Sequence, residues 1–348
     1  PRVGAGGGGG SAEAAATALA QRLAEDLPAE MQRSEALRGA LGEVSEDGKI
    51  DVGSLSSLQL VLLHELERFN LLLHTVSSSL RDLQLASKGV VVMSNELEKM
   101  LSSMLRGEVP AMWAKVAYPS LKPLASWHTD LQARVAFVRG WLIGYRPPER
   151  FMLPYFFMPQ GFLTGVLQQH ARKHKVPIDH LTFQYTLLDE PSPEQIEAVK
   201  KEEAEKKAKE KKEGGSPEGE RGGPPSPEKM AAEVTEAFVP AKPPDDGVLV
   251  EGLYLTGARY NRTLRELQPP RPKQMVDALP AIHFEPVRGH VRDESDYECP
   301  LYKTSARAGT LSTTGASTNF VVALDLPSRE PPTKWIRMGV AALCATDD

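Results

Sequence analysis

An α+β fold, with a helical part first and a β part after it, is what the sequence predicts. Three observations carry this. Apolar residues in the first half recur every three or four positions, most clearly from Leu55 to Leu83, the spacing of one helix face. From Leu181 the period drops to two, the alternation of a half-buried strand. Helix-like segments precede strand-like ones instead of alternating with them, which separates α+β from α/β.

The totals narrow the function classes. A chain of 348 residues that is 41% hydrophobic has enough apolar material for one large domain or two to three small ones. A net charge of -5 gives no basic footprint for nucleic acid. No apolar run reaches the ~20 residues of a membrane helix. Two cysteines, Cys299 and Cys344, suit a reducing compartment and exclude a disulfide framework, leaving one bridge open. The chain opens at Pro1 with no methionine and no signal-peptide pattern, which reads as a fragment of something longer.

Residues 1–11 are a Gly-rich tract expected to be disordered. Leu19, Leu23 and Leu27 share one face of an Ala-rich helix that Pro28 stops. Residues 40–54 read as a polar loop. The long helix follows, with Leu58, Leu62, Leu66, Phe69, Leu73, Val76 and Leu80 in its stripe and Glu65, Glu67, Arg68, Arg81 and Asp82 off it. Such a stripe must be packed against other helices along its length. Ser94 caps a shorter helix that ends at Gly107 and Pro110. A third helix runs from about Ser126 to Gly144, with Trp127, Leu131, Val135, Val138 and Leu142 inward. A fourth begins at Pro159, where proline fits the first turn, and closes on Arg172, Lys173 and Lys175, which favour the negative helix end.

Leu181, Phe183, Tyr185 and Leu187 form the inner face of the first strand. Further strands are expected at 248–255, 281–287, 319–326 and 335–343, separated by Gly, Pro, Asp and Ser clusters. Residues 190–246 interrupt this part with a Glu/Lys/Ala run and then a Gly/Pro/Ser/Glu run. Neither can bury a core, so the segment reads as a solvated insertion with balanced charge. The strands flanking it are free to pair across it, since lengthening a surface loop costs little.

Candidate chemistry is thin. Gly42–Lys49 ("GEVSEDGK") has one residue too many for a phosphate loop and Ile50 where Ser or Thr is required. Residues 302–322, "YKTSARAGTLSTTGASTNFVV", carry Gly309 and Gly315 but no Gly-Lys-Ser/Thr unit, and a strand follows them. The two glycines are assigned to turn geometry. His170 and His174 lie four apart and face one side, but Ala171 stands where a zinc protease needs glutamate. They read as basic helix-end residues, and His180 lies beyond Pro177. Cys299 and Cys344 fit no Cys-x-x-Cys pattern and read as small buried hydrophobes. Trp113, Trp127, Trp141 and Trp335 lie on apolar faces and are assigned to packing. No catalytic, cofactor or metal residue is therefore nominated.

Five stretches, in order, resemble the C-terminal region of axonemal dynein heavy chains. They are "ELERFNLLLHTVSSSLRDLQLASKGVVVMSNELEKM" (65–100), "VPAMWAKVAYPSLKPLASWHTDLQARVAFVRGWL" (109–142), "FFMPQGFLTGVLQQHARKHKVPID" (156–179), "DGVLVEGLYLTGARYNR" (246–262) and "YECPLYKTSARAGTLSTTGASTNFVVALDLP" (297–327). The resemblance covers most of 55–189 and 246–348. The Gly-rich start and the insertion at 190–246 depart from it.

The resemblance implies an N-terminal helical bundle, 55–179, followed by a small antiparallel β-barrel, 180–348, with 12–54 ending the sixth AAA+ module of a ring. It implies a non-catalytic segment that braces or regulates the ring of an ATP-driven, minus-end-directed microtubule motor in the axoneme of cilia and flagella, assembled in the cytoplasm. ATP and magnesium would sit in earlier modules, and so would the family's Walker and arginine-finger residues. Partners would be the rest of the ring and other heavy, intermediate and light chains, with microtubules reached only through the parent protein. Neither nucleic acid nor membrane is expected. A second expectation makes this a docking module whose insertion recruits another axonemal subunit.

Overall fold

A computed structural model describes residues 9–32, 55–144, 147–188, 244–289, 292–311 and 317–347, with backbone alone for 9–16. Helix α1 spans Gly9–Glu25, so it begins inside the tract expected to be disordered. The polar loop expected at 40–54, "GEVSEDGK" and nearly all of the 190–246 insertion lie outside the described residues.

The long helix, α2, spans Ser57–Ser87. Its start is fixed by a reciprocal capping box: Ser56 Oγ accepts from the Gln59 N–H, and Gln59 Oε1 accepts from the Ser56 N–H. At 31 residues it is about 46 Å long. Its stripe is covered by the protein's own elements: α1, α3 (Asn95–Leu105), α4 (Ala111–Ala114), α5 (Leu124–Gly144) and α6 (Pro159–His174) all touch it. Leu66, Phe69, Leu73, Val76 and Leu80 are fully buried. Ser94 caps α3 as the sequence indicates, accepting from the Leu97 N–H, and Gly107 follows its end with φ 72°.

The strands are more numerous and shorter than the alternation suggests. In sequence order they are β1 (Arg150–Met152), β2 (Leu181–Leu187), β3 (Val248–Glu251), β4 (Tyr254–Thr256), β5 (Arg259–Asn261), β6 (Glu266–Gln268), β7 (Val276–Ala278), β8 (Ile282–Arg288), β9 (Tyr297–Tyr302), β10 (Phe320–Leu326) and β11 (Ala341–Leu343). They form three sheets, ordered β1-β3-β8-β2, β10-β9-β11-β4-β7 and β5-β6.

This corrects the β-barrel expectation. Among the described residues no sheet closes on itself, and two pairings, β1 with β3 and β9 with β11, are parallel. Six of the strands have only three residues. Helix α6 packs against β2, β8 and β10.

Two further expectations are corrected. The strands flanking the insertion do not pair with each other: both β2 and β3 pair with β8, which lies between them. Residues 335–343 are not one strand. Pro331 precedes a helix, α7 (Pro332–Arg337), with Pro332 in its first turn, and Gly339 at φ 65° separates it from β11. Among the described residues one large hydrophobic core runs from Ala20 through the stripe of α2 to Cys344 in the β part, with a small separate cluster at Leu55 and Leu63.

Candidate functional site: the polar joint behind the long helix

Within this apolar core a few buried polar side chains join the helical part to the strands. Glu65 is the central one. It shares the inner face of α2 with Leu62, Leu66 and Phe69 and is 2% exposed, whereas the sequence places it off the stripe. Its carboxylate accepts from the N–H of Phe157 (2.6 Å) and of Met158 (3.1 Å). Those groups lie at the start of α6, where N–H donors lack helical partners and the helix dipole favours negative charge. Glu65 thus caps one helix from the middle of another. The missed signal is its spacing: position 65 is three after Leu62 and four before Phe69, on the same face.

Burial pushes the Glu65 carboxyl above its ordinary 4.5, outweighing the two backbone donors and the charges of Arg68 and Arg134. A folded-state pKa above the unfolded one means that the folded protein binds the proton more tightly. The contribution of Glu65 to stability is therefore greatest below pH 4.5 and declines as pH rises through the window above it. Unfolding free energies of the native protein and Glu65→Gln, measured by urea titration from pH 4 to 8, should show the native protein's stability relative to the variant falling as pH rises. A difference between the two that grows in favour of the native protein as pH rises would contradict it.

Arg134 grips the same crossing from the other side. It is 4% exposed. Its Nε donates to Asp130 Oδ2 at 2.6 Å, one helical turn earlier on α5, and its Nη1 donates to the Pro154 carbonyl. The guanidinium lies 3.7 Å from the centre of the Tyr118 ring. Residues 153–158 connect β1 to α6, so one helix holds this crossing through an acceptor and another through a donor. Aromatic rings enclose it: Phe69 meets Phe157 edge-on at 4.6 Å, and Phe156 stacks on Phe162 at 4.3 Å. Excluding water in this way strengthens each polar contact.

Further ties radiate from the joint. Trp113 Nε1 donates to Ser79 Oγ at 2.8 Å inside the core. Asn70 holds both the N–H and the carbonyl of Met31, and Arg139 donates to the Ala29 carbonyl, so the segment after α1 is held by α2 and α5. Gln160, in the first turn of α6, donates to the Phe320 carbonyl at the head of β10.

Most of the residues that stand out in the sequence serve packing. All four tryptophans are buried, and Trp335 Nε1 donates to Ser328 Oγ. Cys299 and Cys344 are buried and unbridged, and burial pushes both thiols up to about 12, so neither is a nucleophile near neutrality. Gly309 does not supply a left-handed turn; Arg307 does, at φ 53°. Gly309 is required by space, since a Cβ there would stand 2.7 Å from both Ser317 Oγ and Thr318 Oγ1. Gly315 lies outside the described residues. The loop is closed by Asn319, whose side chain bonds Thr304 on its N–H and its hydroxyl.

His170 and His174 do come together on α6, with ring centres 4.2 Å apart. Nothing in the sequence hints at their third neighbour, Asp246. Lys173 Nζ lies 2.8 Å from Asp246 Oδ1, and His174 Nε2 lies 2.9 Å from Oδ2. Burial raises the Asp246 carboxyl, but these two hydrogen bonds prevail and hold it below the usual carboxylate range. His170, His174 and Asp246 offer ligand atoms within 4.8 Å of one another.

Similarity to known proteins runs along nearly the whole sequence. A family model for the C-terminal domain of the dynein heavy chain matches residues 1–344. Dynein axonemal heavy chain 6 of Homo sapiens is 42% identical over 294 residues, which are 84% of this protein and 6% of that one. Dynein axonemal heavy chain 12 of Rattus norvegicus is 40% identical over 292 residues, 84% of this protein and 8% of its own length. Dynein axonemal heavy chain 12 of Homo sapiens is 38% identical over 331 residues, 95% of this protein and 9% of its own length. The 348 residues thus span less than a tenth of the length of these relatives.

Proposed function

This protein belongs to the family of C-terminal domains of dynein heavy chains, and from that premise we propose that it is a non-catalytic brace on the ring of an axonemal motor. The parent would be an ATP-driven, minus-end-directed microtubule motor of cilia and flagella. ATP and magnesium would bind in other modules, and the neighbours of this segment would be the rest of the heavy chain ring and companion heavy, intermediate and light chains.

One observation carries the mechanical part of the reading. The apolar stripe of α2 is buried along its length within its own polypeptide, and the crossing at 153–158 is held by Glu65 on one side and Arg134 on the other. Helices and strands then share one core. Close-packed interiors transmit strain and do not deform smoothly, so displacement at α1 would reach the β part as movement of one body. Both Glu65 oxygens accept backbone N–H.

The purified 348-residue protein tests the non-catalytic part. It should neither bind ATP in equilibrium dialysis nor release phosphate above the rate of buffer alone. Turnover that depends on this protein would overturn the reading.

A further inference from the structure

We propose that His170, His174 and Asp246 form a binding site for a divalent transition-metal ion of the zinc class, fastening the end of α6 to the segment entering β3. The site lies within this polypeptide and does not rest on the bracing role. The sequence offers only two histidines at a helix end; the structure adds a carboxylate from 72 residues away. Two imidazoles and one carboxylate are a zinc-type donor set, to which water adds a fourth position.

The geometry points to a cation between these groups. His170 Nδ1 is buried and has no hydrogen-bond partner, and it faces Asp246 Oδ1 across 3.7 Å. That is too long for a hydrogen bond. Two donors bound to one tetrahedral zinc at ~2.05 Å each stand about 3.3 Å apart, so a small closure of the present gap places both on one ion. A cavity of about 370 Å³ borders His170, Lys173 and Asp246, giving an entry path and room for water.

Asp246 is positioned from behind. A carbonyl only accepts hydrogen bonds, so His283 Nε2, 2.9 Å from the Asp246 carbonyl, carries the proton there. Gly247 follows at φ 77°, and a Cβ on it would lie 2.2 Å from the Phe284 carbonyl. Glycine is what allows the backbone to pass so close to β8 and turn Asp246 toward α6. Lys173 is the competitor for the carboxylate. Its side chain is 51% exposed, and its flexible stem can carry the ammonium into water when an ion arrives.

The test uses the tag-free 348-residue protein, stripped with chelator and titrated with Zn²⁺ by calorimetry and with Co²⁺ by visible absorption. One ion per molecule is expected, with the intense absorption of four-coordinate cobalt and a higher thermal midpoint in zinc. His170→Gln and Asp246→Asn should each weaken binding by at least ~10-fold. Lys173→Gln keeps all three ligands and removes the competing ammonium, so it should bind more tightly, and it keeps the test open if a ligand variant fails to fold. Absence of saturable zinc binding by the native protein, unchanged affinity in the two ligand variants, or weaker binding by Lys173→Gln would overturn the proposal.

Discussion

Phe69→Asp should unfold most of the protein's population or come close to it. Phe69 is fully buried in the stripe of α2 and meets Phe157 edge-on. Removing a buried Phe side chain costs ~3–5 kcal/mol through lost transfer energy and the cavity left behind. The aspartate adds a carboxylate with no partner in an apolar site, which is costlier still. The sum is at least ~4 kcal/mol against a total stability of ~5–15 kcal/mol. Leu71, two residues on and 55% exposed, supplies the control: Leu71→Asp should change stability by no more than ~0.5 kcal/mol. Urea denaturation of the three proteins checks this. Equal midpoints for Phe69→Asp and the native protein would mean that the stripe is not a packing surface.

Arg134→Ala should cost ~3–5 kcal/mol, the range for breaking one side of a buried ion pair. The substitution leaves Asp130, whose side chain is 12% exposed, with Lys122 at 3.9 Å as its remaining basic neighbour. It also leaves the Pro154 carbonyl without its guanidinium donor and removes the cation from the face of Tyr118. Replacing both partners by apolar residues of similar volume is a different matter. The double variant Arg134→Met with Asp130→Leu removes both charges of the pair, though Lys122 loses its carboxylate and the Pro154 carbonyl its donor, so it should be less destabilised than Arg134→Ala. A double-mutant cycle on unfolding free energies separates the cases. If the double variant were as unstable as Arg134→Ala, the pair would matter for more than its charge balance.

The helical part is more legible in the sequence than the β part for a physical reason. Helices α2, α3, α5 and α6 are written in local periods and local caps, such as Ser94 and Pro159, which the sequence displays directly. Strands such as β5, β6 and β7 have three residues each, too few to show an alternation. In the larger sheets, partners such as β1 and β3 lie far apart in sequence, so pairing order cannot be read from neighbours. The insertion adds to this: β2 and β3 suggest a hairpin across it, yet both lie against β8.

The joint is hidden in another way. Glu65 and Arg134 occupy inward positions on their helices, but a charged residue at such a position looks like an error in the stripe until its partners are known. Those partners include backbone groups of residues 154, 157 and 158, and backbone groups leave no mark in a sequence. Likewise His170 and His174 declare themselves by their spacing, whereas Asp246 does not, because it reaches them only through the turn at Gly247.

As a brace, this segment would work by stiffness. This is tested by placing Arg134→Ala, and separately the Arg134→Met and Asp130→Leu pair, in the parent heavy chain and measuring microtubule gliding velocity alongside ATP turnover. The brace predicts slower gliding with continued ATP turnover for Arg134→Ala, and a smaller loss of velocity for the apolar pair. Native gliding velocity and turnover in both variants would contradict it.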